Sequence, residues 1–218
     1  MGALDYSVVL RNLPYLWTGL QLSLLLAALA IGGGIFLGSI MSMLRMSSIR
    51  PVAWLALAYV NFFRSVPLIL VIFWFYFFIP LLLGRATGPF LSAWIAFTLF
   101  ETAYYCEIIR AGVQSVPKGQ INAGIATGMT RLQAMRHIVM PQAFRNMTPI
   151  LLTQSIILFQ DTSLVYVVTL RDFMTSVSTV ANQELRLVEL YLFAALVYFA
   201  ICFSGSRFIN RLGGGFRR

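Results

Sequence analysis

Residues 118–149 read KGQINAGIATGMTRLQAMRHIVMPQAFRNMTP, a polar and basic stretch set between long apolar runs. Lys118, Arg131, Arg136, His137 and Arg145 supply its charge and polarity. Ala123, Ala126 and Met129 recur at helical spacing, and so do Leu132, Met135 and Val139, so the pattern is helix rather than linker. Gly119, Gly124 and Gly128 suit a kinked pair of short helices better than one straight rod. A basic helical segment between membrane spans is either an amphipathic surface helix or a docking site for a partner. Structureless loops of this length are functional or disordered as a rule. This one is not low-complexity, which favours docking.

The flanks of that stretch belong to a membrane. Hydrophobic residues make up 59% of the 218-residue chain and charged residues 11%, against roughly 45–50% and about 25% in soluble domains. The length allows five or six spans of about 20 residues in one membrane domain, with no room for a soluble catalytic domain. The net charge of +9 is not a nucleic-acid footprint, because the aromatics lie inside apolar runs and the arginines sit beside spans as topology signals. Cys106 and Cys202 lie in apolar segments without metal-ligand spacing and read as small core hydrophobes. His137 is the single histidine, so no histidine-based catalytic or metal constellation is expected, and no metal site or catalytic residue is assigned. Asp5 and the lack of an early basic region argue against a cleaved signal.

Taken in order, residues 1–17 read as a periplasmic or interfacial lead-in, with Tyr15 and Trp17 at the membrane boundary. Residues 18–210 read as the transmembrane domain. Span one runs from about Thr18 to Leu44, with Gly34 and Gly38 spaced for close helix contact. Pro51 to Phe63 is too short to span and reads as an interfacial or partly inserted helix, with Pro51 in its first turn. Span two covers about Ser65 to Leu83, span three Pro89 to Ile109, span four Met147 to Leu170 and span five Leu190 to Ser206. Residues 171–189 read as a polar loop, and the basic tail, 211–218, is expected to fray at its end. The expected fold is thus an all-α polytopic membrane protein with five transmembrane helices. Placing the N-terminus outside puts twelve of the sixteen Lys and Arg residues on the inner side. That asymmetry predicts an N-out, C-in chain, with 118–149 in the cytoplasm.

Intramembrane carboxylates default to functional hypotheses because burying them is costly. Asp161, beside Gln160, Thr162 and Ser163, is the substrate-site candidate, suited to a substrate ammonium group. Its alternative is a structural pair with an arginine, for which Arg64 is the candidate. Arg64 could instead meet a substrate carboxylate, which a guanidinium binds bidentately. Glu107 lies one turn from Arg110 and reads as its structural partner. Glu101 is either structural or a residue of the pathway.

The pattern NAGIATGMTRLQAMRHIVMP resembles the EAA signature of ABC-importer permeases. Asn122, Ala123 and Gly124 stand at its opening Glu-Ala-Ala, Gly128 at its glycine, Ile138 at its isoleucine, and Met140 and Pro141 at its Leu-Pro. Asn122 replaces the usual acid. YVNFFRSVPLILVIFWFY (59–76), AYYCEIIRAGVQSVPKGQ (103–120) and LLTQSIILFQDTSLVYVVTLRDF (151–173) resemble polar amino-acid permeases of the histidine/glutamine/glutamate type. The likeness extends over about residues 10–210 and is nearest to the second permease subunit of glutamate/aspartate importers.

That resemblance implies a type I importer (MetI-like) permease fold with cytoplasmic coupling helices, in the bacterial inner membrane. It implies a non-catalytic subunit without a cofactor of its own, ATP being bound by a cytoplasmic ABC ATPase dimer; the chain has no Walker-type glycine loop. The other implied partners are a second permease subunit, a paralogue, and a periplasmic amino-acid-binding protein, all around the lipid bilayer. Coupling would run through residues 118–141, with Gly119, Asn122, Ala123, Gly124, Gly128, Met129, Ile138 and Pro141 at the contact. The cargo implied is glutamate or aspartate, moved by alternating access. The rival reading is a passive channel or secondary-transporter subunit for a small polar solute, neither of which needs a patterned cytoplasmic knob.

Overall fold

A computed structural model describes residues 6–85 and 87–216, with side chains as far as Arg211. Asp5, Arg217 and Arg218 lie outside the described residues. All the regular structure among the described residues is helical. It comprises α1 (Ser7–Arg45), α2 (Arg50–Ser65), α3 (Leu68–Leu83), α4 (Pro89–Gln114), α5 (Lys118–Ala126), α6 (Arg131–Ala134), α7 (Met140–Asp161), α8 (Phe173–Gln183) and α9 (Leu187–Phe216). A π-helical turn, Met135–Val139, joins α6 to α7, and a 3₁₀ helix, Thr162–Val168, extends α7.

Helix α4 is the centre of the bundle. It packs against α1, α2, α3 and α7, and Ala93, Ala96, Phe97, Ala103, Tyr105 and Cys106 along it are fully buried. Neighbouring helices shield it, so it tolerates Thr98, Glu101 and Thr102 where a lipid-facing helix would not. Helix α1 threads two apolar clusters. Leu26 and Ala30 join Val60, Ile72, Phe97 and Leu158 in one; Leu16 and Leu20 join Phe159, Phe173, Val177 and Leu190 in the other.

The predicted Gly34–Gly38 contact face is present, and α4 is its partner. A Cβ on Gly34 would lie 3.1 Å from Cβ of Glu101, and one on Gly38 would lie 2.8 Å from Cβ of Tyr105. The absent side chains let two backbones approach.

Three helical stretches are long and apolar enough to cross a membrane: Ser7–Arg45, Arg131–Val168 and Leu187–Arg211. A fourth arises if α2 and α3, bent by 104° at Val66–Pro67, count as one broken span. The bend follows from Pro67, which forces an extended Val66 and cannot continue α2. Pro51 occupies the first turn of α2, as expected.

Several expected boundaries need correction. Helix α1 begins at Ser7, so the expected lead-in is helical from residue 7 and continuous with the first span; at 1.5 Å per residue, the 39-residue helix is about 58 Å long, against the roughly 30 Å of a bilayer core. The fourth span does not start at Met147. Helix runs unbroken from Arg131 to Val168, with Pro141 and Pro149 inside it. The π turn explains how Pro141 is tolerated. Met140 N–H reaches back to Met135 O, and the widened turn relieves the proline clash and the lost donor. The polar loop 171–189 contains α8, whose Phe173, Ser176, Val177, Val180 and Ala181 are buried. Helix α9 continues to Phe216, so the tail is helical through that residue; its last two residues, where the fraying was expected, lie outside the described residues.

Candidate functional site

The bend between α2 and α3 delivers Arg64 to the side of α4. Its guanidinium carbon lies 5.6 Å from the Tyr104 ring centroid, a cation–π arrangement. The Tyr59 hydroxyl fixes α2 in this place by donating to Leu99 O at 2.7 Å. Arg64 Nη1 is also 3.8 Å from Glu107 Oε1. Glu107 Oε2 accepts from Arg110 Nε at 3.0 Å and Nη2 at 2.8 Å, the expected one-turn pair. Arg45, the last residue of α1, pairs with Glu107 Oε1.

Glu101 lies on the opposite flank of Tyr104 and is fully buried. Gln154 Nε2 donates to both of its carboxyl oxygens at 3.1 Å. One turn on, the Tyr105 hydroxyl sits 3.1 Å from Ser155 Oγ. These two contacts tie α4 to α7 through polar groups that satisfy each other.

Asp161 is the last residue of α7. Gln154 precedes it by seven residues, nearly two full turns, so both lie on the α4-facing side. Asp161 is half-exposed and forms no ion pair among the described residues. The structural pairing of Asp161 with Arg64 is therefore not made: Arg64 is drawn to Glu107 instead. Arg64 lies over the Tyr104 ring and Glu101 stands three residues before it on α4, while Asp161 ends α7, which packs on α4.

The rest of the predicted cluster divides. Each helical step turns about 100°, so neighbours of Asp161 point elsewhere. Gln160 and Ser163 line a cavity of about 300 Å³ with Met174, Tyr191, Ala194 and Tyr198, on the α8–α9 side. Thr162 is fully buried and donates its hydroxyl to Phe159 O at 2.7 Å. Tyr104 and Gln154 were missed as site residues. The seven-residue spacing of Gln154 and Asp161 was the available signal.

The stretch from 118 to 141 forms a second, separate feature. Helix α5 ends in a turn in which Met129 N–H donates to Gly124 O at 3.1 Å. Gly128 carries a φ of +89°, a left-handed conformation that a side chain would strain. Thr130 and Gln133 then close a capping box: the Gln133 amide donates to Thr130 Oγ1 at 3.2 Å, and the Thr130 amide to Gln133 Oε1 at 2.8 Å. Gly124 seats the two helices together, because a Cβ there would lie 2.5 Å from Ile138 Cδ1. The kinked pair is thus formed, though its second member grows directly into the α7 span. Gly119, Asn122, Ala123, Gly128, Met129 and Pro141 are exposed, Gly124 is buried and Ile138 is half-buried. Ile125 and Leu132 also face outward, Leu132 at 78% exposure.

Known proteins share this architecture along its length. Glutamate/aspartate import permease protein GltK of Escherichia coli is 48% identical over 219 aligned residues, covering 97% of this chain and 98% of that one. The probable glutamine ABC transporter permease protein GlnM of Bacillus subtilis is 35% identical, with 96% of each covered. A chain in the crystal structure of an amino acid ABC transporter with histidines superposes with a TM-score of 0.92 at 28% identity, covering 97% of this chain and 99% of its own. A chain of the inward-facing MetNI methionine ABC transporter, at TM-score 0.70 and 18% identity over 93% and 98%, shares the fold. Residues 34–218 match the shared pattern of these importer permeases. On that match and the full-length similarity, the chain belongs to the family of binding-protein-dependent transport system inner membrane components.

Proposed function

We propose that this permease moves an acidic amino acid, glutamate or aspartate, from periplasm to cytoplasm across a bacterial inner membrane. The carrying observation is a guanidinium, Arg64, over the Tyr104 ring of α4 and a carboxylate, Asp161, at the end of α7 packed on α4, the two not paired to each other. An acidic amino acid can satisfy both, through its ammonium group and its side-chain carboxylate. Asp161 takes the substrate ammonium group and Arg64 a substrate carboxylate. The acidic cargo follows from the 48% identity with a glutamate/aspartate import permease. Glu101 is already satisfied by Gln154, so it acts as a structural brace. Gln160 and Ser163 offer polar contacts from the neighbouring cavity, and buried Thr162 serves the helix itself. Membership of an ABC importer family removes the passive-channel and secondary-transporter readings.

Five passes accommodate the helices: α1, the bent α2–α3 pair, α4, the Arg131–Val168 helix and α9. With the N-terminus outside, the Lys and Arg residues around the α1–α2 and α4–α5 junctions fall on the cytoplasmic side, and Arg64 lies within the bent pass. Residues 118–141 then form the coupling element, docking into a cytoplasmic ATPase dimer that binds and hydrolyses ATP. A paralogous second permease and a periplasmic binding protein complete the importer. The permease itself performs no chemistry.

The test is uptake of labelled glutamate, glutamine, arginine and histidine into vesicles carrying the assembled importer. Asp161→Asn is expected to lower uptake of the preferred acidic substrate about ten-fold while the complex stays assembled. Wild-type kinetics in that variant would remove Asp161 from the site. Deleting residues 119–136 is expected to abolish co-purification of the ATPase; retention would remove the coupling assignment.

A further inference from the structure

Glu107 is a single carboxylate facing three guanidiniums, one each from α1, α2 and α4. Arg110 occupies its Oε2 through two hydrogen bonds, and Arg45 pairs with its Oε1. Arg64 remains 3.8 Å from that same Oε1, beyond hydrogen-bond distance, and its side chain is 45% exposed. The cluster carries two positive charges in excess of its one negative charge. Its two partly buried arginines hold the carboxylate's oxygens, while the third lies between the carboxylate and the Tyr104 ring. A guanidinium has five N–H donors, and neither contact of Arg64 is a hydrogen bond.

The geometry points to Glu107 as a positioning residue that holds Arg64 in reserve by competing with the side-chain carboxylate of an acidic substrate. This rests on the reading above that Arg64 meets a substrate carboxylate. Glu107 attracts Arg64 weakly enough that an arriving carboxylate of good geometry can take it over. The exchange also alters the hold of α4 on the α2–α3 corner, because Arg64 is the last charged residue before Pro67. Substrate charge thereby reaches the α2–α3 pair, bent by 104°.

Competition gives the prediction an unexpected sign. Glu107→Gln removes the rival carboxylate and frees Arg64 for the substrate. In the purified importer complex, binding of labelled L-glutamate is expected to tighten about three- to five-fold, the scale of one exposed ion pair. Binding of L-glutamine, whose side chain is neutral, stays within two-fold by the same reasoning, at about wild-type strength. A purely structural Glu107 would weaken both ligands alike and leave the glutamate-to-glutamine ratio unchanged; that result overturns the proposal. Should Glu107→Gln fail to assemble, Glu107→Asp withdraws the charge by one methylene. It is expected to raise the ratio in the same direction by less, and an unchanged ratio there is equally fatal. Arg64→Gln separates the two layers of argument. Loss of glutamate preference in Arg64→Gln with no change in the Glu107 variants overturns only the role of Glu107. Retained preference in Arg64→Gln overturns the substrate reading beneath it.

Discussion

The neighbourhood of Tyr104 and the stretch from Lys118 to Pro141 are built on opposite plans. Around Tyr104, polar groups are buried and largely answered from within the chain: Glu101 by Gln154, Tyr105 by Ser155, and Glu107 by Arg110 and Arg45. Glycines bring α1 and α4 into direct contact there. The 118–141 stretch holds its own shape by a capping box and one glycine seat, but turns Ile125, Met129 and Leu132 outward. One region is closed mainly from within the chain; the other leaves apolar side chains exposed, on the surface proposed to dock the ATPase.

The largest effects should come from the closed region. Gly38 is the sharpest place to break it. A Cβ there would meet Tyr105 Cβ at 2.8 Å, Cys106 N at 3.1 Å and Thr102 O at 3.2 Å. Two of these atoms are backbone, so α1 and α4 must separate to admit a larger residue. Gly38→Leu is expected to leave almost no monodisperse protein on size exclusion. Gly32 on the same helix has nothing within 4 Å of its Cβ position, so Gly32→Leu should purify like the parent. Equal yields would show that α1 and α4 are not locked.

A smaller effect is expected from the polar brace between α4 and α7. Gln154→Leu leaves the buried Glu101 carboxyl without its donor, which costs about 1–3 kcal/mol. The melting temperature of the purified complex should fall accordingly. Replacing both partners, Glu101→Leu with Gln154→Leu, should recover much of that loss, because neither polar group then remains unsatisfied. If the double variant is no more stable than Gln154→Leu alone, the pair does not brace the bundle.

The two regions also differed in legibility. The 118–141 stretch could be read in advance because its signals are local: glycine spacing, helical periodicity and the EAA resemblance all lie within one segment. What escaped was its far end. The fourth span was expected to begin at about Met147, yet a π turn carries the helix past Pro141 into it. The site around Tyr104 was only partly legible. Asp161, Arg64 and Glu101 stood out as charges in apolar surroundings, but Gln160, Thr162 and Ser163 were grouped with Asp161 by adjacency. Helical rotation sends them to other faces. The sharing of Glu107 among Arg45, Arg64 and Arg110 is tertiary, and only its i,i+3 member was visible. Helix α8 was concealed by polar composition. Its core-facing residues, Phe173, Ser176, Val177, Val180 and Ala181, do follow helical spacing, and Asp172 caps it by accepting from the amides of Met174 and Thr175.

The smallest effect tests the exposed region. Leu132 opens the second short helix and contacts little of its own chain, at 78% exposure. Truncating it should not disturb the fold, since few of its atoms are shielded from solvent in the isolated permease. If the stretch docks as proposed, Leu132 is buried only on assembly. Leu132→Ser then weakens ATPase retention by about 1 kcal/mol, or roughly five-fold in Kd, as for an ordinary contact residue outside an interface hot spot. Titrating purified ATPase onto the permease in detergent reads this directly, with the permease melting temperature as the control. A drop in melting temperature without loss of ATPase affinity would reverse the contrast. It would make Leu132 a structural residue and the stretch as self-contained as the surroundings of Tyr104.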